Sequence, residues 1–240
     1  MAPDNRLLAA LSDRAFARVS PLLDVIPMTL KTVLHKPGES VDHVYFPGGG
    51  FCSVLTAMAD GNMVEVATIG REGCVGLSAV INGGAPDPST TLVQAEAAVC
   101  YRLATDAFEA ELERRGEFRS LIRRYAQALV GVVMQATACN AVHSVEQRLA
   151  RWLLMAHDRV ERDEFPLTQE FAAMMLGATR PTVTVVAGTL QRADLIAYQR
   201  GRITVVDRRG LEDASCECYG ISAALLAGVL ADRHSKPSKG

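Results

Sequence analysis

The sequence predicts an α+β protein with an N-terminal β-roll or jelly roll, a long helix suited to dimerisation, and a C-terminal winged helix-turn-helix. Short strand-like runs separated by glycine-rich turns fill about residues 28–104. An apolar repeat typical of one long helix fills about residues 117–143. Two helical patterns joined by a glycine, and then a hairpin pattern, fill residues 168–206. We therefore divide the chain into a domain over 1–142 and a domain over 143–240.

Length and composition narrow the class of protein. A chain of 240 residues suits two modest domains, and 49% hydrophobic residues are enough for packed cores. The longest apolar run, residues 221–231, is too short to span a bilayer, and residues 1–14 lack the apolar core of a secretory signal. The six cysteines have irregular spacings, which favours reduced thiols over a disulfide framework. We expect a cytoplasmic protein without a membrane partner.

The roll is predicted from alternation and turns. Residues 29–35 alternate in polarity, and residues 51–58 and 63–69 are strand-like runs on either side of Asp60-Gly61-Asn62. An Asp-Gly pair between such runs is a strong hairpin signal. Two further strand-like runs lie between residues 92 and 103. Many short strands at this spacing are typical of a β-roll or jelly roll.

The long helix carries an apolar repeat with alternating spacings of four and three. This repeat fits a helix that pairs with its own copy about a two-fold axis, so we predict a homodimer. The alternative is a helix that lies on its own β-roll, and Leu121, Ala128 and Val133 widen the stripe in a way that suits this packing. The predicted dimer seam consists of Phe118, Ile122, Tyr125, Leu129, Val132, Ala136 and Cys139.

The helix-turn-helix is predicted from its caps. Thr168 can cap a first helix, and Gly177 can end it because glycine adopts left-handed backbone angles at little cost. Thr179 can cap a second helix with Pro181 in its first turn, where the missing N–H does no harm. The apolar face of the second helix would pack inward, which leaves the opposite face free to enter a major groove.

A hairpin follows the second helix and is predicted to be the wing. Its two β-prone runs, residues 195–198 and 203–206, flank a turn with Arg200, Gly201 and Arg202, and the two arginines suit backbone phosphates. Residues 165–210 contain six arginines and three acids, whereas the whole chain has a net charge of −2. The positive charge therefore lies where double-stranded DNA would bind.

The sequence also predicts how a palindromic operator would be read. Arg180 is the side chain able to make a bidentate contact to a guanine, and Thr184 is the other hydrogen-bonding side chain near the centre of that face. Pro181 and Val185 offer apolar contact alone, so we expect one required guanine per half-site and further preference from DNA shape. The predicted DNA-binding residues are Thr168, Gln169, Thr179, Arg180, Pro181, Thr182, Thr184, Val185, Gly188, Thr189, Arg200 and Arg202.

The order of a roll, a long helix and a winged helix resembles the Crp/Fnr family of bacterial transcription regulators. The most specific segments are VEQRLARWLL (145–154), LTQEFAAMMLGATRPTV (167–183) and LIAYQRGRITVVD (195–207). Residues 69–77 resemble the phosphate-binding cassette of the family. The resemblance implies a cyclic-nucleotide-binding-like domain that senses an effector, a homodimer that reads a palindrome, RNA polymerase as a further partner, and no enzymatic activity.

The cassette departs from the nucleotide-binding pattern of that family. Cys74 stands where nucleotide binders have a glutamate, and no arginine occurs between Arg71 and Arg102. Because a buried phosphate without a cationic partner is costly, we expect no response to ordinary cyclic AMP. The effector stays unassigned, and no cofactor is predicted. The candidate effector pocket consists of Arg71, Gly73, Cys74, Val75, Gly76, Val133 and Gln135.

Two alternatives stay open at this point. One is a cyclic-nucleotide-responsive regulator with an unusual cassette. The other is a cupin-like metalloenzyme, which would need three or four ligands inside the roll, where His35 and His43 have no acid–histidine cluster beside them. We predict no metal ligands. The pair Cys216 and Cys218, with Cys139, is interpreted as small buried residues and not as a redox site.

Overall fold

Two antiparallel sheets form the N-terminal roll of the computed structural model, which describes residues 3–77, 88–160 and 162–231. One sheet has the strand order β1-β7-β3 and the other β2-β6-β4-β5. The predicted α+β class with an N-terminal roll is confirmed. The strands are β1 (Leu23–Met28), β2 (Val33–His35), β3 (His43–Pro47), β4 (Phe51–Ala57), β5 (Met63–Gly70), β6 (Thr90–Ala95) and β7 (Ala97–Ala104).

The roll begins earlier than predicted, at Leu23 instead of about residue 28. Strand β1 pairs with β7 from Leu23↔Leu103 onward, and its register shifts between Ile26 and Met28. Pro27 lies at that shift, where a residue without a backbone N–H is tolerated. Because proline is unfavourable within a strand, the sequence pattern did not predict β1. Two short helices, α1 (Arg6–Ala9) and α2 (Asp13–Val19), precede it.

The long helix has nearly the predicted bounds. After α3 (Thr105–Glu113), helix α4 (Glu117–Val142) runs for 26 residues, or about 39 Å at 1.5 Å per residue. Helix α5 (Val145–Val160) follows after a break at residues 143–144. Ser144 and Gln147 form a capping box, in which the Gln147 N–H donates to Ser144 Oγ at 3.2 Å and the Ser144 N–H donates to Gln147 Oε1 at 3.1 Å. This reciprocal cap starts a new helix.

The C-terminal part has the predicted winged helix-turn-helix and one additional strand. The sheet order β8-β10-β9 places the unpredicted β8 against β10, the second strand of the wing, which thereby becomes the central strand of this sheet, and Phe165 of β8 is buried. No single helix of the described segments is long and apolar enough to cross a membrane; α8 and α9 meet the test as a pair, across a bend of 108°. The elements are β8 (Glu164–Pro166), α6 (Gln169–Leu176), α7 (Arg180–Arg192), β9 (Ile196–Gln199), β10 (Arg202–Val205), α8 (Arg208–Ala214) and α9 (Cys218–Ala231).

The apolar repeat of α4 faces the rest of its own chain, in contrast to the predicted dimer seam. Helices α1 and α2, the roll and α9 cover this repeat. Helix α9 packs so closely that a Cβ on Gly131 would lie 3.2 Å from the side chain of Leu225. Leu129 and Ala136 are half-buried. The remaining five predicted seam residues are buried within the chain: Phe118, Ile122, Tyr125, Val132 and Cys139. The alternative, a helix packed on its own domain, accounts for this repeat.

The winged helix packs directly against the roll. Phe51 and Leu55 of β4 belong to the same buried cluster as Trp152 of α5 and Met175 of α6. The rings of Phe51 and Trp152 meet edge to face at a centroid distance of 6.0 Å. The two halves of the chain therefore share one apolar core, which makes the roll and the helix-turn-helix parts of one packed unit.

Candidate nucleic-acid interface and sensor region

The helix-turn-helix has the caps that the sequence predicts. Thr168 Oγ1 accepts from the Phe171 N–H at 3.1 Å, and Thr179 Oγ1 accepts from the Thr182 N–H at 3.4 Å. Gly177 ends α6 with a φ of +55°, in the left-handed region that glycine adopts without strain. These local signals set the angle between α6 and α7.

Helix α7 buries one face and exposes the predicted reading face. Val183, Ala187 and Leu190 are buried. On the opposite face Arg180, Pro181, Thr184 and Val185 are exposed, while Gly188 is half-buried near Arg192. The side chain of Arg180 lies at the N-terminal end of the helix, the end that enters the major groove in this class of motif.

Besides Thr168, four threonines of the predicted set form hydroxyl hydrogen bonds within the chain. The Thr184 hydroxyl lies 2.9 Å from Gln169 Oε1 and 3.0 Å from the Arg180 carbonyl oxygen. The Thr182 hydroxyl lies 2.8 Å from that of Thr179, and the Thr189 hydroxyl donates to the Val185 carbonyl at 3.2 Å. These hydroxyls position the two helices, which leaves Arg180 as the charged group of the exposed face at the helix start.

Arg180 and the wing tip line one depression. Arg200 and Gly201 form the hairpin turn with φ values of +50° and +75°, typical of a tight two-residue hairpin turn. Thr168, Gln169, Arg180, Arg200 and Gly201 line a concavity of about 440 Å³ with Tyr198. Tyr198, which the sequence analysis missed, donates its hydroxyl to the Leu167 carbonyl at 2.9 Å and so supports this wall.

The second wing arginine is differently placed. Arg202 begins β10 and forms an ion pair with Glu164 of β8. This carboxylate offsets the positive charge of Arg202, whereas Arg200 is exposed at the turn. Arg200 is therefore the better placed of the two for a phosphate contact.

The predicted effector pocket does not assemble. Tyr125 of α4 packs on the cassette so closely that a Cβ on Gly73 would lie 2.2 Å from its hydroxyl, which donates to the Cys74 carbonyl at 3.3 Å. Cys74 and Val75 are fully buried. Gln135 lies ten residues farther along α4, about 15 Å away, and donates to Cys218 Sγ at 3.1 Å.

The other predicted pocket residues are also separated. Gly76 adopts a φ of +94° next to the imidazole of His35, and Val133 is half-buried on α4 near Gln135. Arg71 lines a cavity of about 500 Å³ on the outer side of the cassette, against α5 and α9. The family resemblance suggested that α4 would present Val133 and Gln135 to the cassette, but in the structure Tyr125 of α4 packs on the cassette.

An ion pair joins the cassette to α5 in the C-terminal half of the chain. Arg159 of α5 donates to Glu72 Oε1 from Nε at 2.9 Å and from Nη2 at 2.6 Å, and its Nη1 donates to the Met155 carbonyl at 2.7 Å. Glu72 Oε1 also accepts from the Gly70 N–H at 3.1 Å. Both side chains are largely buried, at 6% and 13% exposure. This buried ion pair therefore couples the position of the cassette directly to that of α5.

A second polar contact crosses the same interface. The Trp152 indole N–H donates to Glu65 Oε1 at 2.7 Å, while Glu65 Oε2 is buried without a hydrogen-bond partner. Burial raises the pKa of Glu65 to about 7 from an ordinary value of 4.5, although the Ser53 and Trp152 hydrogen bonds act in the opposite direction. Glu65 therefore titrates near neutrality.

Replacing Glu65 by glutamine should stabilise the protein in a pH-dependent way. Near pH 4.5 the substitution should be almost neutral. As the pH rises from about 4.5 to about 7, the carboxyl ionises in the unfolded chain while it stays protonated in the folded chain, so wild-type stability falls. The gain in the Glu65→Gln variant therefore grows to about 3 kcal/mol and levels off above pH 7. Urea unfolding of both proteins at about pH 5 and pH 8 measures this. A gain of equal size at both pH values would contradict it.

The chain matches two domain families in the order that the structure shows. A cyclic nucleotide-binding domain family matches residues 29–115, and a Crp-like helix-turn-helix domain family matches residues 147–214. The chain belongs to the Crp/Fnr family. Proteins of this family are transcription regulators and not enzymes, and the winged helix-turn-helix of this Crp/Fnr protein is its DNA-binding domain. No curated protein matches it significantly by sequence.

Solved structures of Crp/Fnr regulators share this fold. A Crp/Fnr regulator from Eubacterium rectale is 18% identical with a TM-score of 0.67, covering 87% of this chain and 96% of its own. A CRP-family regulator from Thermus thermophilus is 21% identical with a TM-score of 0.65, covering 79% and 96%. The c-di-GMP-responsive regulator CLP from Xanthomonas campestris is 13% identical with a TM-score of 0.66, covering 81% and 99%.

Proposed function

We propose that this Crp/Fnr protein is a homodimeric regulator that reads a palindromic operator with Arg180 and does not respond to ordinary cyclic AMP. The observation that carries the proposal is the exposed depression lined by Arg180 and Arg200. Arginine is the side chain best suited to bidentate guanine contacts, and the nearby wing arginine suits a phosphate. RNA polymerase is the further partner that we expect from the family.

Selection of binding sites from random duplex DNA tests this proposal. We expect the purified full chain to enrich a palindrome with a strongly preferred guanine in each half-site and weaker preferences elsewhere. The spacing between the two half-sites should be close to one helical turn, because each recognition helix enters a successive major groove. Enrichment of no motif, or of a single half-site without a symmetric partner, would contradict the proposal.

Dimerisation is assigned to the face of α4 that the chain leaves uncovered. Val130 and Met134 are 59% and 68% exposed, and the exposed Ala138 and Ala141 continue the same stripe at spacings of four and three. Large apolar side chains exposed along one helix face are typical of a surface that pairs with another chain. This stripe replaces the predicted seam, five of whose seven residues are buried within the chain itself.

Met134→Glu should convert the dimer to a monomer. A charge at the centre of a helix pair loses its hydration on association and is strongly unfavourable. Light scattering should give the monomer mass, and binding to the selected palindrome should weaken at least tenfold while the thermal stability of the chain changes little. Met58→Glu, at a methionine 53% exposed on the roll, is the matched control and should stay dimeric. A dimeric Met134→Glu protein would contradict the assignment.

Cyclic AMP should not act as an effector. Tyr125 occupies the surface of the cassette, and Cys74 stands in the position of the nucleotide-binding glutamate. Calorimetry with cyclic AMP should give no binding, and the palindrome should be bound equally with and without it. A dissociation constant of about 1 μM or tighter, with a matching gain in DNA affinity, would contradict the prediction. Since CLP is c-di-GMP-responsive, c-di-GMP is the second ligand to titrate.

A further inference from the structure

Four potential metal ligands lie together where the end of α4 meets the start of α9. Cys139, His143, Cys216 and Cys218 each offer one ligand atom, and these four atoms lie within 4.8 Å of one another. Cys139 Sγ is 3.5 Å from Cys216 Sγ, and Cys218 Sγ is 3.6 Å from His143 Nδ1. The three cysteines are buried and the histidine is half-buried.

Two rigid segments supply two ligands each. Cys139 and His143 are one helical turn apart, so they project from the same side of α4 at its end. Cys216 lies in the short link between α8 and α9, where Ser215 adopts extended backbone angles, and Cys218 is the first residue of α9. A Cys-x₃-His pair on a helix and a Cys-x-Cys pair in a turn place four donors around one point. The sequence analysis grouped the three cysteines as small buried residues and did not join His143 to them, so it predicted no metal ligands.

The spacing of the four atoms suits a single tetrahedral ion. A zinc–sulfur distance of about 2.3 Å gives a separation of about 3.8 Å between ligand atoms at the corners of a tetrahedron. The two measured separations are close to this value. Three thiolates and one imidazole form a Cys₃His set, which is typical of structural zinc. The four ligands of an iron–sulfur cluster are divided among two or more iron atoms, so the set as a whole spreads farther apart than four ligands of one ion. We propose that Cys139, His143, Cys216 and Cys218 bind one structural Zn²⁺ ion.

The surrounding polar groups support this assignment. His143 Nε2 lies 3.3 Å from Glu217 Oε2, so the carboxylate can hold the imidazole with Nδ1 directed toward the sulfur atoms. Gln135 Nε2 donates to Cys218 Sγ at 3.1 Å, and such N–H contacts stabilise a thiolate ligand. A carboxylate behind a ligating histidine is a common arrangement in zinc sites.

The charge balance at the site also suits zinc. Zn²⁺ with three thiolates and a neutral imidazole has a net charge of −1. Arg151 of α5, only 7% exposed, acts electrostatically on Cys139, and its Nε is buried without a hydrogen-bond partner. The buried guanidinium of Arg151 would therefore compensate part of the net negative charge of the zinc site.

The site would join three parts of the chain. Cys139 and His143 end α4, the break at residues 143–144 starts the DNA-binding half, and Cys218 begins α9. Helix α9 packs along α4 and covers part of its apolar stripe. Zinc would therefore hold α9 on α4 at the junction of the two halves, independently of whether the chain binds the proposed operator.

Metal analysis of the full-length protein tests the proposal. We expect about one zinc and no bound iron per chain, with little visible absorbance. Cys139→Ser and Cys218→Ser should lose the zinc. Cys100→Ser is the matched control, since Cys100 is buried in the roll away from the site, and it should retain the full amount. Equal zinc in all four proteins, or none in the wild type, would overturn the proposal.

Two further measurements keep the test decisive if a serine variant misfolds. His143→Ala leaves the three thiols in place and should bind zinc more weakly, which titration against a competing chelator measures. Replacing zinc with Co²⁺ in the wild type should give the intense thiolate and d–d bands of a tetrahedral sulfur-rich site. Iron and sulfide in the purified protein, a Cys139–Cys216 disulfide in its place, or octahedral cobalt spectra would each overturn the assignment to zinc.

Discussion

Arg180→Ala should weaken binding to the selected palindrome by about 5- to 150-fold per half-site, the equivalent of about 1–3 kcal/mol. The exposed guanidinium at the start of α7 is the group on that face able to make a bidentate contact to guanine. The hydroxyl of Thr184, the neighbouring polar group, is already within hydrogen-bonding distance of Gln169 and the helix backbone. Fluorescence anisotropy on the palindrome and on versions with each base pair changed measures the loss.

The substitution should also relax specificity at one position. Site selection with Arg180→Ala should return a motif in which the required guanine has lost its preference while the flanking positions are unchanged. Arg200→Ala should instead weaken all duplexes about equally and lower the salt dependence by about one unit of slope per half-site. Arg192→Ala, at the far end of the same helix, is the control for general loss of positive charge. A wild-type motif from Arg180→Ala would refute the assignment of the reading residue.

Glu72→Gln should lower the free energy of unfolding by about 3–5 kcal/mol. The substitution leaves the buried Arg159 guanidinium without its anionic partner, at the contact between the cassette and α5. Urea unfolding at neutral pH measures the loss. Glu39→Gln is the control, because Glu39 pairs with Lys36 at 3.6 Å on the surface with 62% of each side chain exposed, and its loss should cost less than about 1 kcal/mol.

A double substitution separates the ion pair from packing. Glu72→Gln combined with Arg159→Met removes both buried groups and keeps most of their volume, so it should recover a large part of the loss seen in Glu72→Gln alone. If the two substitutions instead added their separate costs, the pair would contribute through packing and not through charge. A Glu72→Gln protein as stable as the wild type would contradict the importance of this contact.

The sequence alone determined the parts of this protein that depend on neighbouring residues. Thr168, Gly177 and Thr179 specify the two helices and the turn between them, because caps act within one helical turn. The wing follows from two β-prone runs around Gly201, because the residues of a short turn decide whether adjacent strands can form a hairpin. The bounds of α4 follow from a repeat that continues for seven turns. Each of these signals lies within one continuous segment of the chain.

Only the tertiary structure decided which surface covers each apolar face. The repeat along α4 records that Phe118, Tyr125 and Val132 are buried, but the same spacing arises whether the covering surface belongs to this chain or to a second copy. The β1 strand was missed because Pro27 interrupts its pattern and its pairing with β7 is distant in sequence. Periodicity reports burial and not the identity of the neighbour.

The cassette and the cysteine cluster show the same limit. Nothing near Gly73 in the sequence indicates that Tyr125, 52 positions later, will occupy its surface. Cys139 and Cys216 are 77 positions apart and come together because α9 folds back along α4. Residue types and local spacing indicate which chemical groups are present. The distances between groups depend on how the helices and sheets pack, and that packing is a property of the whole chain.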